Sequence, residues 1–492
     1  MSKSYSFTPV IAAIVLVLLL AAANSHSQDL KATIELNPAA GTAQVSGRFS
    51  KEAGYGKNPN LSFLLDYAGV SGLGKRFSAV TLTNNAGETV GSRPIMPGEF
   101  LAERPFIIWK YLAELKPEPF PAARAHISWL AKDEGILMLH DLLPVTPRGT
   151  AEIRIDLPTG WTISSVNKRT SGGSFVVDDI ENAVFFVSAT AAAREIRSAK
   201  VPLRVNLAGS WHFNDQEAAE MAEDVFAYYV KLFGDRPDRE ILITLRKFPP
   251  DVRPGSWEAD TRGTTITIFS SDTPFKSQSR QRLHEQLRHE IFHLWIPNGL
   301  NLTGNYDWFY EGFALYQSLR MAVAVNRIRF EDMLDTLSRG LAIDNGNADR
   351  MSLIDTSRLR WSSSNADVYA RGMLVAFISD VTILDRTKGK RSVMGLIADV
   401  HRKHHSGEKT TDGNIVVLDL MAAYDGLEPI ISRYIRGKEK LDLEPVLKAA
   451  GLVQEGENAA TKLKVVNKPT GRQKDLLNEL GYNNWRKLSR KQ

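Results

Sequence analysis

His289-Glu290-Ile291-Phe292-His293 is the stretch on which the fold of this chain turns. On a helix, positions i and i+4 share a face, so the two imidazoles point at one spot. Zinc is suited by that arrangement: two neutral ring nitrogens at about 2.0–2.1 Å, a third protein ligand and an open position for water. Leu283, Leu287, Ile291 and Leu294 trace an apolar stripe, which predicts a helix over about 279–296. Glu290 would stand beside the water on such a metal, able to take its proton and later pass one to a leaving amine. Histidine is scarce, 10 of 492 residues, and a chance His-Glu-x-x-His in such a chain is on the order of one in a hundred. The neighbouring His284-Glu285-Gln286-Leu287-Arg288 lacks the second histidine and is not expected to bind metal. His404-His405 reads as a basic loop.

A third ligand is needed downstream. Trp308-Phe-Tyr-Glu311-Gly312-Phe-Ala-Leu-Tyr316 supplies Glu311 at the start of a second apolar helix, with 17 residues between it and His293. A loop of that length can return the chain so that two helices face each other across a metal. Taken alone, Glu311 is better read as an acidic residue favoured by a helix N-terminus. The upstream histidine pair tips the balance towards a ligand, because zinc sites use three protein ligands.

Outward from this centre the chain changes character. Residues 28–208 read as an antiparallel β domain of sandwich type, with alternating strands such as Lys31–Leu36, Ser62–Tyr67, Ala151–Leu157 and Val201–Leu207 between Gly, Pro and Asn clusters. Residues 209–325 read as an α/β lobe. It opens with a helix over 215–233, capped by Asn214 or Asp215 and ended by Gly234, followed by strands at 240–245 and 264–269. Residues 326–452 are mostly helical, and 453–492 form a tail without a strong pattern, its Lys474–Lys491 end basic and solvated.

Composition agrees with a large globular protein. The 492 residues carry a net charge of +5 and no cysteine, which excludes thiol catalysis and Cys-ligated zinc. No basic stripe or finger spacing points to nucleic acid. Lys3, the apolar run Pro9–Ala23 and the small residues after it resemble an export leader over 1–27, shorter than the roughly twenty residues of a spanning helix. The expected setting is periplasmic or secreted, with membrane attachment only if the leader stays as an anchor.

His-Glu-x-x-His followed by Trp-x-x-Glu-Gly-Phe-Ala resembles the gluzincin peptidases, specifically the M1 aminopeptidases and the glycyl-aminopeptidases. The resemblance implies a β N-terminal domain, a thermolysin-like α/β lobe holding one zinc per chain on His289, His293 and Glu311, and an α-helical C-terminal lobe. These families carry a Tyr in a Tyr-x-Lys-Gly segment that donates to the oxyanion. Tyr369-Ala370-Arg371-Gly372, 58 positions after Glu311, is similar, with Arg371 keeping the charge next to the substrate. They also carry Gly-x-Met-Glu-Asn, whose Glu holds the substrate's amino terminus. Gly255-Ser256-Trp257-Glu258-Ala259 is its nearest counterpart, without the Met and Asn, and makes Glu258 a candidate amine anchor.

Three activities fit these residues: a zinc aminopeptidase acting on peptides, a zinc endopeptidase with an open cleft, and a non-catalytic peptide-binding protein on a peptidase fold. Loss of a ligand or of the base would mark the third, and none is lost.

Overall fold

The computed structural model describes residues 29–53, 59–145, 149–189, 193–198, 200–249, 251–271, 273–406 and 411–484. The leader at 1–27 and the last basic residues lie outside the described residues. Among the described residues, no helix is long and apolar enough to cross a membrane.

The N-terminal unit is two sheets over one core. Leu30–Asn37 runs antiparallel to Thr42–Ala53, which pairs in turn with Phe106–Glu114, at the centre of an eight-stranded sheet. Leu30, Ala32, Ile34 and Leu36 point inward at alternate positions, as the pleat of a one-sided strand demands. The facing four-stranded sheet contributes Leu130, Leu137, Phe185 and Val187 to the same core, around the buried Trp109 and Tyr111. The expected sandwich is therefore present, with one departure from a wholly antiparallel sheet: Leu30–Asn37 pairs in parallel with Ala151–Asp156.

The boundary near 208 differs from expectation. Ala193–Arg197 and Leu203–Ala208 belong to the five-stranded sheet of the next lobe, where Leu203–Ala208 runs parallel to Ile241–Lys247. All six residues of Leu203–Ala208 are buried. A strand covered on both faces is what a parallel sheet in an α/β unit requires, and its partial alternation concealed this. The sheet continues through Thr265–Ser270 to an antiparallel edge strand, Trp257–Arg262.

The helix Asp215–Phe233 covers this sheet. Asn214 and Glu217 close a reciprocal capping box, and Gly234 ends the helix at φ 85. The helix carrying the first histidine, Lys276–Glu290, stops short of the expected 296; a 3-10 turn, Phe292–Leu294, carries the second. The helical lobe is built from Gly312–Ala324, Phe330–Gly346, Asn365–Thr387 and Val393–His404. Its core is continuous with that of the α/β lobe. The stretch expected to be a patternless tail is a hairpin, Leu452–Glu455 with Lys462–Val465, followed by the helix Gly471–Glu479. Leu463, Leu476, Leu477 and Leu480 are buried in that core, and Leu463 N–H donates to Ser338 Oγ at 2.9 Å.

Candidate metal centre

The turn at the end of Lys276–Glu290 brings His289 Nε2 within 3.2 Å of His293 Nε2. Glu311, at the junction of the short helix Asp307–Tyr310 and Gly312–Ala324, adds its Oε2 at 3.1 Å from His289 Nε2 and 3.5 Å from His293 Nε2. Atoms that each lie about 2.0–2.1 Å from a tetrahedral zinc are separated from one another by about 3.3 Å. The three buried donors match that triangle and form a group able to hold a metal ion.

Two further facts suit a cation. His293 Nδ1 lies 2.9 Å from the Ile296 carbonyl; donation there would leave Nε2 as the acceptor facing its partners. Burial alone would lower the His293 pKa, but Glu311 and Glu290 outweigh it and raise it to about 9. The neighbouring carboxylates thus favour positive charge at this spot. Glu311 is subject to burial, which raises a carboxyl, but Arg360 and the histidines hold it well below the usual carboxylate range. His289 Nδ1 is buried without a hydrogen-bond partner.

Around this triangle lies a cavity of about 290 Å³. Glu290 lines it, and Thr261 Oγ1 of the edge strand donates to Glu290 Oε2 at 2.7 Å. Burial raises the Glu290 carboxyl, against the pull of the two histidines and Thr261. Tyr369 also lines the cavity, its ring 6.1 Å from that of His289, and burial keeps its phenol protonated. Tyr369 reaches this position because two helices almost touch. A Cβ added to Gly372 would lie 2.7 Å from Trp308 O and 2.9 Å from Gly312 Cα, so glycine is required where the Tyr369 and Glu311 helices cross.

The site residues expected from the sequence do not all meet. His289, Glu290, His293, Glu311 and Tyr369 converge on one cavity. Arg371 does not: it is buried on the other side of its helix, paired with Asp344 at 2.8 Å and donating to the Glu439 carbonyl at 2.6 Å. Its charge is consumed inside the helical lobe, two residues from Tyr369 but on a different helix face. Glu258 is not among the residues lining the cavity and is 41% exposed, 4.0 Å from His126 of the N-terminal unit.

Asp260, two positions further along the same face of the strand, lines the cavity instead. Arg262 pairs with it at 2.7 Å and His126 at 3.6 Å; burial opposes ionisation, but these neighbours hold the carboxyl well below its usual range. Thr261 and Arg360 also belong to the site, and nothing in the sequence singled them out. The N-terminal unit walls the far side with Tyr67, His126, His140 and Glu181.

No protein-family model matches the chain, and no curated protein matches it. Solved structures do resemble it in fold. An aminopeptidase N family protein from Idiomarina loihiensis aligns with 90% of this chain and 82% of its own, at a TM-score of 0.73 and 14% identity. An M1 zinc metallopeptidase from Deinococcus radiodurans aligns with 85% of this chain and 95% of its own, at a TM-score of 0.55 and 15% identity. A variant of an M1 zinc metallopeptidase from that organism, bound to a Tyr-Ser-Ala substrate, aligns over the same shares at 0.54 and 15% identity. The chain has the M1 aminopeptidase-like fold that the motifs led one to expect.

Proposed function

We propose that this protein is a zinc-dependent peptidase of aminopeptidase type, with His289, His293 and Glu311 holding one zinc ion per chain. The observation that supports it best is the buried donor triangle, 3.1 to 3.5 Å on its sides, with Glu290 and Tyr369 in the same cavity. When bound, zinc supplies a Lewis acid that polarises the scissile carbonyl and acidifies water. The chain's own groups do the rest. Glu290 takes the proton of the attacking water and delivers one to the leaving amine. Thr261 occupies one Glu290 oxygen and leaves the other for this exchange. Tyr369 donates its hydroxyl hydrogen to the oxygen that gains negative charge in the transition state.

The wall built by Tyr67, His126, His140 and Glu181 limits the room beside the donor triangle and supports removal of terminal residues. Acidic Glu181 suits an ammonium there, and Glu258 lies just outside. One observation favours an endopeptidase as second reading: Asp260 is already paired with Arg262 and His126, so it is not free to anchor an amine. Export is part of the proposal, resting on Lys3 and the apolar run Pro9–Ala23.

The test is zinc content followed by cleavage of free and N-acetylated peptides, with and without chelator. About one zinc per chain and chelator-sensitive cleavage of free peptides alone support the aminopeptidase. Cleavage of both peptides selects the endopeptidase. Folded protein that takes up no zinc when it is supplied removes both.

A further inference from the structure

Arg360 is buried at the edge of the donor triangle, in a π-helical turn, Arg360–Ser364, that joins Leu353–Arg358 to Asn365–Thr387. Such turns redirect a side chain that regular helix would point elsewhere. Its Nη1 lies 2.9 Å from Glu311 Oε1 and 3.1 Å from Asp307 Oδ1. Its Nη2 donates to the Tyr369 hydroxyl at 2.8 Å, and its Nε to Asn365 Oδ1 at 3.3 Å. The guanidinium lies 4.3 Å from the centre of the Trp361 ring, which shields it on one face.

We infer that Arg360 is a positioning residue with two effects: it makes Glu311 a one-oxygen ligand, and it fixes the side from which Tyr369 donates. This rests on the function proposed above.

The first effect follows from which oxygen is taken. Glu311 Oε1 is held by Arg360, while Oε2 faces His289 and His293 at 3.1 and 3.5 Å. Rotation of the carboxylate to offer both oxygens to a metal would break the Arg360 bond. The second effect follows from guanidinium chemistry. Arginine has donors and no acceptor, so the Tyr369 oxygen can only accept from it. The phenolic hydrogen is thereby turned away from Arg360, to the side where Glu311 also bonds the hydroxyl. Both effects require a planar fork that spans two partners, which the point charge of a lysine does not provide. If Arg360 did no more than neutralise Asp307 and Glu311, a lysine would serve.

The full-length Arg360→Lys variant tests this, alone and with Tyr369→Phe, after thermal melts have confirmed folding. Should it not fold, Arg360→Gln is read in the same way. Two readouts are used: zinc affinity with the visible spectrum of the cobalt-substituted protein, and kcat and KM on a free peptide. We expect zinc affinity about 10- to 100-fold weaker, and a cobalt band that loses intensity as Glu311 adds a second oxygen. We expect kcat to fall about tenfold with KM little changed, and most of that loss to vanish in the Tyr369→Phe background. Unchanged zinc affinity and cobalt spectrum, with kcat losses that multiply, would overturn the inference. If the wild type binds zinc and cleaves no peptide, the proposed function fails while the metal readouts still decide the role of Arg360. Wild type that binds neither metal defeats both.

Discussion

Thr261 Oγ1 and Glu290 Oε2 are 2.7 Å apart, and this bond ties the edge strand Trp257–Arg262 to the end of the histidine helix. It orients a buried carboxylate and lowers its pKa, opposing the larger effect of burial. Thr261→Val keeps the shape and removes the donor. A hydrogen bond to a charged group is worth roughly 1.5–3 kcal/mol, so kcat/KM should fall by about 10- to 100-fold. The acid limb of the pH–rate profile should move to higher pH, since Glu290 loses a group that favours its ionised form. Thr261→Ser, measured alongside, should stay near wild type. An unmoved acid limb would mean that Thr261 does not act on the base.

Loss of the base and loss of a ligand should separate cleanly. Glu290→Gln is nearly isosteric and lies outside the donor triangle, so zinc content should stay near that of the wild type. Activity should fall by about 10²- to 10⁴-fold, the contribution of a positioned acid–base group. Glu311→Gln replaces a charged ligand and leaves Arg360 beside a neutral partner. Its zinc content after dialysis should drop with its activity. Metal analysis of both variants, with peptide cleavage, checks the pair; hydrolysis that survives Glu290→Gln intact would sink the mechanism.

The donor triangle was legible in the sequence because its geometry is local: two histidines one turn apart and a glutamate at a helix start. The helix Asp215–Phe233 was legible because Asn214 and Gly234 are themselves capping chemistry. What escaped depends on tertiary placement. Arg371 and Glu258 were assigned from their neighbours in sequence, but a side chain's face is decided by the element it sits on. One turns into an ion pair with Asp344 and the other stands outside the cavity. Arg360 gave no signal, because a π-helical turn, visible only in three dimensions, aims it at Glu311. The alternation in Val201–Leu207 points to a strand of the β domain, because no pattern distinguishes a partly alternating strand from one covered on both faces, as Leu203–Ala208 is.

His284, one turn from Arg288 and outside the metal cluster, should make stability depend on pH. It is 3% exposed, and its Nδ1 lies 3.1 Å from Arg288 Nη1, which fits a neutral ring accepting from a cation. Burial first, then Arg288 and Arg327, lower its pKa to about 3. The unfolded chain titrates near 6.5 and so binds the proton more readily than the folded one. The stabilising effect is complete above that pH and is lost as pH falls from 6.5 towards 3, by up to about 1.4 kcal/mol per unit. His284→Gln keeps an acceptor and cannot titrate. Urea unfolding at pH 7.5, 6 and 5 should show the wild type losing stability more steeply than the variant. Parallel losses would place the pH dependence elsewhere.

Arg371 offers the sharpest contrast between two roles. As a substrate-binding residue it would raise KM when removed and leave stability alone. As the buried partner of Asp344, at 2.8 Å with both side chains 3% exposed, it should do the opposite. Arg371→Met leaves a buried carboxylate without that partner, which costs about 3–5 kcal/mol of stability. Asp344 retains Arg350, at 3.8 Å, so the lower end of that range is expected. Unfolding in urea measures the loss, and KM per active molecule at a temperature where the variant is folded should stay within about twofold of wild type. The helix face accounts for the difference: Tyr369 points at the cavity, and a residue two positions on, about 200° around a helix, points away from it. A raised KM with unchanged stability would return Arg371 to the substrate and require the helix to be rotated.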